Sequence, residues 1–274
     1  MKVSFYGTRG SISTPERNFS EFGGNTSCVL LSFESGRIAI LDAGTGLRRL
    51  GNDFPARSIE QYDNIFIGLS HTHWDHIQGF PFFKPAYDAR RHFTVAMYGK
   101  ASRASNLASI FETQMQRDFF PVSLEGMGAT IDFLTSGEDC VRDGDARVIA
   151  IKHNHPGDAY TYRIESVDGR AMVFCTDIEH GDDIDPRIVE LARGADLLVH
   201  EGQFTPEELD AHRGWGHSSW EQAVEVAQRA GVKRLVVTHH DPDHDDAFLR
   251  EIERKVKARM PHAVLAREGM SIQL

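Results

Sequence analysis

The chain has 274 residues, 41% hydrophobic and 26% charged, with a formal net charge of −10. That composition suits a soluble globular protein with ample core material, and no apolar run approaches the roughly 18 residues that a membrane-spanning helix needs. The acidic balance offers no general attraction for nucleic-acid phosphates, although a local cation cluster could still hold a small anion.

Short apolar runs alternate with helical patterns, and no Pro/Ser-rich linker or charge block interrupts them, so residues 1–274 are expected to form one layered α/β domain. Strands are predicted over 2–6, 28–33, 37–41, 64–69 and 93–98. A helix is predicted next over 102–117, carrying Leu107, Ile110, Phe111 and Met115. Strands are then predicted over 130–134, 147–152, 159–164, 171–175 and 196–199. Ser218 is placed as the cap of a helix over 219–230, with Glu221 closing a capping box and Gly231 ending it. After a strand at 234–237, residues 245–259 put Phe248, Leu249, Ile252 and Val256 on one helical face and stop before Pro261. Strands over 263–266 and 270–274 close the chain. Cys28, Cys140 and Cys175 are odd in number, far apart and in no CxxC pair, which fits a reducing cytoplasm.

The chemistry lies at the strand exits. Ile65–Leu69 runs into Ser70-His71-Thr72-His73-Trp74-Asp75-His76, Val148–Ile151 into Lys152-His153-Asn154-His155, and Ala171–Cys175 into Thr176-Asp177. Leu197–Val199 runs into His200-Glu201, and Leu235–Val237 into Thr238-His239-His240. Five buried-type strands thus end in His, Asp or Glu, and layered α/β folds gather ligand sites at the carboxyl ends of their strands. Within the first of these runs, alternation puts His71 and His73 on one side, within reach of one cation. A turn after Trp74 would send Asp75 and His76 to a second position nearby.

The run 71–76 matches the HxHxDH motif of the metallo-β-lactamase-fold superfamily, which the chain resembles over essentially its whole length. The resemblance implies a four-layer αββα sandwich of two mixed β-sheets flanked by helices. It also implies two divalent metal ions per chain, with zinc, manganese or iron fitting the ligand types. By that likeness His71, His73 and His155 hold one ion, Asp75, His76 and His239 hold the other, and Asp177 bridges them. His153 competes with His155 and His240 with His239, because a shift of one residue reverses a side chain's direction. The run from His155 to Tyr162-Arg163 resembles the ribonuclease Z branch, with Thr161 in place of its usual Gly, and Thr238-His239 stands where that branch has its Thr-His. Asp42, at the end of its own strand, matches an early aspartate expected to brace the metal loop from behind.

Ala195–Glu201 and Gly214-Trp215-Gly216-His217-Ser218-Ser219 resemble motifs of the phosphodiesterase branch that includes ribonuclease Z. Carried over, His217 is a general acid oriented by Glu201, and Asp75 joins them in the catalytic set. An alkoxide leaves poorly unless it is protonated, so such a donor is chemically required. His217 could instead be only the neighbour of a helix cap. The loops Gly7–Ser11 and Gly23–Ser27 also resemble this branch and offer Arg9 and Asn25 as substrate contacts; His180, just after the bridging aspartate, is a third. Phe80, Phe82, Phe83, Tyr87, Phe119 and Phe120 could wall a pocket, although such residues are more often core.

The expected function is hydrolysis of a small anionic phosphodiester such as a cyclic nucleotide, by a hydroxide held between the two metal ions. Ribonuclease Z-like RNA processing, lactone or thioester hydrolysis, and a non-catalytic sensing role are the alternatives. The ribonuclease Z family usually carries a Gly/Pro-rich arm for transfer RNA, and no equivalent is visible here. No membrane partner is expected; a homodimer is compatible with the resemblance.

Overall fold

The computed structural model describes residues 1–54, 64–98, 107–136 and 140–274. Its first half runs β1 (Lys2–Gly7), β2 (Cys28–Ser32), β3 (Ile38–Leu41), α1 (Gly46–Asp53), β4 (Asn64–Gly68), α2 (Trp74–Ile77), β5 (His92–Tyr98), α3 (Leu107–Gln114) and β6 (Thr130–Ser136). The second half runs β7 (Cys140–Asp143), β8 (Ala146–His153), β9 (Ala159–Ser166), β10 (Ala171–Cys175), α4 (Pro186–Ala192), β11 (Leu197–Glu201), α5 (Pro206–Leu209), α6 (Trp220–Ala230), β12 (Leu235–Thr238), α7 (Asp246–Arg259), β13 (Ala263–Leu265) and β14 (Ser271–Gln273).

These strands form two mixed sheets, ordered β14-β1-β2-β3-β4-β5-β6 and β13-β12-β11-β10-β9-β8-β7. Each half begins as an antiparallel meander and continues as parallel strands joined through helices. The last strand returns to the first sheet, where Val3 pairs with Ile272. Two-residue alternation decides what each strand buries. Met172 and Phe174 on β10, and Leu197 and Val199 on β11, face the other sheet in a shared core with Phe5, Leu30 and Ile67. Val173, Cys175 and Leu198 point the other way, into a second cluster with Ile188, Val224 and Val256 of α4, α6 and α7. Leu47, Leu50, Leu107 and Phe111 of α1 and α3 complete the larger cluster from the first sheet's side. The result is the expected four-layer αββα sandwich. No helix among the described residues is long and apolar enough to cross a membrane.

Several local expectations need correction. The cap of α6 is Ser219, which accepts from the amide of Gln222, and Gln222 closes the capping box in place of Glu221. Ser218 stands one residue outside the cap, its amide bonded to Glu201 and its hydroxyl buried without a hydrogen-bond partner. On α7, Leu249, Ile252 and Val256 are buried, but Phe248 is 40% exposed and stacks on His244. The helix predicted over 102–117 is seen over Leu107–Gln114, and residues 102–106 of that range lie outside the described residues. Short α4 is absent from the predicted elements although its start carries an Asp185 cap and Pro186 at the first helical position.

Parallel register aligns the strand ends. Leu41 pairs with Gly68, Cys175 with His200, and Glu201 with Thr238. Asp42, Ser70, Asp177, Glu201 and His239 therefore emerge along one edge of the sandwich. At three of these exits the chain turns sharply: Asp42, Asp177 and His239 adopt φ of 60°, 53° and 60°. Left-handed backbone is unfavourable for side-chain-bearing residues and persists where the surroundings enforce it, often at functional sites.

Candidate metal centre

The predicted ligands converge in two adjoining groups. His71, His73 and His155 form one, and Asp75, His76, Asp177 and His239 form the other; within each, the candidate ligand atoms lie within 4.8 Å of one another. Asp177 sits between them, with Oδ2 3.1 Å from His76 Nε2 and Oδ1 3.3 Å from His239 Nε2, 3.8 Å from His71 Nε2 and 4.0 Å from His155 Nε2. Burial opposes ionisation of its carboxyl, but the imidazoles of His239, His76 and His71 override that and hold it well below the usual carboxylate range.

Hydrogen bonds behind the rings fix which nitrogen each presents. His76 Nδ1 donates to Asp42 Oδ2 at 2.7 Å, and His155 Nδ1 donates to the Gly216 carbonyl at 2.8 Å. His239 Nδ1 faces Gln203 Oε1 at 3.0 Å. Ser70 spends its hydroxyl proton on Asp42, so at 3.1 Å it accepts from His71 Nδ1. With Nδ1 engaged in this way, four rings turn Nε2 inward, the nitrogen a metal-binding imidazole offers when its other nitrogen is hydrogen-bonded. His71 Nε2 and His76 Nε2 are buried without a hydrogen-bond partner. A buried polar atom without a partner is costly unless something occupies it, so this ligand set fits a pair of divalent cations. His73 is the exposed member and presents Nδ1, 3.0 Å from His155 Nε2.

The rival histidines are engaged elsewhere. His153 Nε2 donates to the Asp177 carbonyl at 2.9 Å while its Nδ1 meets Thr161 Oγ1 at 2.8 Å. His240 Nε2 donates to the Ala266 carbonyl at 2.9 Å. Asp42 lies behind the loop, accepting from Ser27, Ser70 and His76.

His217 stands beside both groups, its Nδ1 3.5 Å from Glu201 Oε1 and 3.9 Å from Asp177 Oδ1. Burial disfavours its imidazolium, but the Glu201 contact and the charges of Asp177 and Asp75 raise its pKa to about 9. Glu201 is fully buried and accepts from the amides of Ile178, Gln203 and Ser218, so it fixes backbone on both sides of the site, with His217 Nδ1 beside it but outside hydrogen-bond geometry.

The residues expected to contact substrate are engaged by the protein itself. Arg9 is fully buried, and its guanidinium donates to the carbonyls of Gly23, Asp241 and His244, which leaves no nitrogen for a ligand. Asn25 is held by Glu268 through its backbone amide and its side-chain amide. His180 lines the pocket next to His217, but both its nitrogens are committed: Nδ1 accepts from the Asp185 amide and Nε2 meets His200. Among the aromatics, Phe80 and Phe83 are core, whereas Phe82 and Phe119 are 53% and 68% exposed.

Sequence reasoning missed Gln203 and Ser70 as ring-orienting partners, and Gly10, where a Cβ would lie 2.4 Å from the His239 ring. Gln203 had one available signal: it lies two residues beyond Glu201, at a strand exit already rich in candidates.

A family model described as a beta-lactamase superfamily domain matches residues 37–240. A ribonuclease Z of Synechococcus sp. strain WH7803 is 25% identical over 329 aligned positions, covering 100% of this chain and 96% of the relative. The metallo-β-lactamase fold protein YhfI from Bacillus subtilis superposes with a TM-score of 0.70 at 20% identity, covering 99% of this chain and 98% of that one. The short form of human tRNase Z gives 0.68 at 20% identity, covering 100% and 99%.

Proposed function

The chain belongs to the β-lactamase superfamily as a metallo-β-lactamase-fold hydrolase, and from that premise we propose that it is a dinuclear phosphodiesterase acting on a small diester such as a cyclic nucleotide. The observation that carries this reading is His217, an imidazole held against a buried carboxylate at the rim of a seven-ligand metal site. Lactones and thioesters release groups that need little protonation; an alkoxide leaving a phosphodiester needs a donor.

When bound, the two cations supply Lewis acidity toward a phosphoryl oxygen and make water a nucleophile at neutral pH. The chain's own residues do the rest. His71, His73 and His155 would hold one cation and Asp75, His76 and His239 the other, with Asp177 placed between the two groups. Asp42, Ser70, Gln203 and the Gly216 carbonyl keep the rings aimed. With Nδ1 turned to Glu201, His217 has Nε2 left to protonate the departing oxygen. Trp74 and Trp215, 64% and 60% exposed, stand in the metal loop and two residues before His217 and offer faces on which a base can stack.

A second reading is RNA processing, favoured by the name of the Synechococcus relative. Two features weigh toward a small substrate: the net charge of −10, and an alignment of 329 positions against 274 residues, so that the relative carries segments this chain lacks. Assay of the zinc-, manganese- and iron-loaded protein against bis(p-nitrophenyl) phosphate, cyclic nucleotides and a precursor transfer RNA separates the two. Turnover of a cyclic nucleotide is expected, and cleavage of the transfer RNA alone would replace this reading with the second.

A further inference from the structure

Glu179 lies two residues beyond the bridging aspartate and has no place in the chemistry described so far. Its side chain is half-buried and turned onto the loop before His217. Oε2 accepts from the amides of Gly214 and Gly216, both at 2.9 Å, and Oε1 accepts from Gly214 at 3.1 Å. Gly214 and Gly216 have φ of 84° and 90°, a backbone that aims both amides at one carboxylate. At Gly216 a Cβ would also lie 2.2 Å from His155 Nδ1.

The main chain of Glu179 is itself pinned. Its amide donates to the Asn154 carbonyl at 3.0 Å, and Asn154 Nδ2 donates back to the Glu179 carbonyl at 3.1 Å. Three separate segments meet at this residue: the one that bears His155, the one that bears Asp177, and the one that ends in His217. The clamped loop provides the Gly216 carbonyl that orients His155, and one residue later it delivers His217.

We propose that Glu179 is a positioning residue, a carboxylate latch on the loop 214–216 that sets the proton donor His217 and the metal-facing ring of His155 together. Charge-assisted bonds to backbone amides are about twice as strong as neutral ones, and a displacement of 1 Å in a catalytic group can cost about 100-fold in rate. The inference rests on the reading of His217 as donor, and the test keeps the two apart.

Glu179→Ala, Glu179→Asp, Glu179→Gln and His217→Ala are compared with the parent protein on bis(p-nitrophenyl) phosphate and diphenyl phosphate. Phenolate is the more basic leaving group and needs the proton more. Hydrogen exchange at the Gly214 and Gly216 amides is measured in parallel on the metal-free proteins. Expected for Glu179→Ala is a loss of kcat about 10-fold larger on diphenyl phosphate, with little change in KM and faster exchange at both amides. Glu179→Asp, one methylene short, should shift in the same direction, and carries the test alone if the alanine variant does not fold. Glu179→Gln should recover most of the loss, because a single oxygen can receive both 2.9 Å bonds. Equal losses on the two diesters, or unchanged exchange at the two amides, would overturn the latch. If His217→Ala also leaves the ratio of the two substrates unchanged, the donor reading itself fails.

Discussion

The two ligand groups adjoin at Asp177 but differ in kind. Asp75, His76, Asp177 and His239 are all buried, include two carboxylates, and have both rings braced from behind by side chains, His76 by Asp42 and His239 by Gln203. His71, His73 and His155 bring three neutral imidazoles, one of them exposed, and the brace behind His155 is the carbonyl of a loop glycine. The first is a closed anionic box; the second is open to water and depends on a loop. Carboxylate charge and enforced ring orientation both raise affinity for a divalent cation, so the box should keep its ion while the open group exchanges its own and meets the substrate.

Replacing the aspartate at which the groups adjoin should do the most damage. Asp177→Ala should lower turnover of a phosphodiester by about 1,000-fold or more and reduce bound metal, measured by elemental analysis, toward zero. Retention of two ions would break the comparison, because the box would then not depend on its central carboxylate. His73→Ala, at the exposed edge, should remove one ion and leave the other; loss of both ions together would show that the groups are not independent. The smallest change concerns His217, which also lies within ligand distance of His155 and Asp177. A donor must be protonated, so kcat should fall as pH rises through the His217 pKa. Glu201 contributes to raising that pKa, so Glu201→Gln should move this alkaline limb to lower pH and leave metal content unchanged. A drop in metal content in His217→Ala would make His217 a ligand instead.

The same contrast explains how much of the site is legible in the sequence. The loop 71–76 compresses four ligand-type side chains into six positions, and local geometry alone assigns two to each cation. His155, Asp177 and His239 arrive singly from three strands of the other sheet, and each is legible only as the end of an apolar run. Two have neighbours of the same type. The structure separates them by hydrogen bonding: the Asp177 carbonyl takes His153, and the Ala266 carbonyl takes His240. Arg9 and Asn25 mislead for the opposite reason. Polar side chains in glycine-rich loops resemble substrate contacts until their partners, at positions 241, 244 and 268, are known.

The sequence by itself determined the layered α/β class, the strands that carry the chemistry and the ligand types, because hydrophobic period and strand-end placement are properties of neighbouring residues. Tertiary structure decided which of two adjacent histidines faces inward, which loop residues bind the protein and which remain free, and how Glu179 joins three distant segments. Those outcomes depend on hydrogen bonds between groups far apart in the chain, and short-range pattern does not encode them.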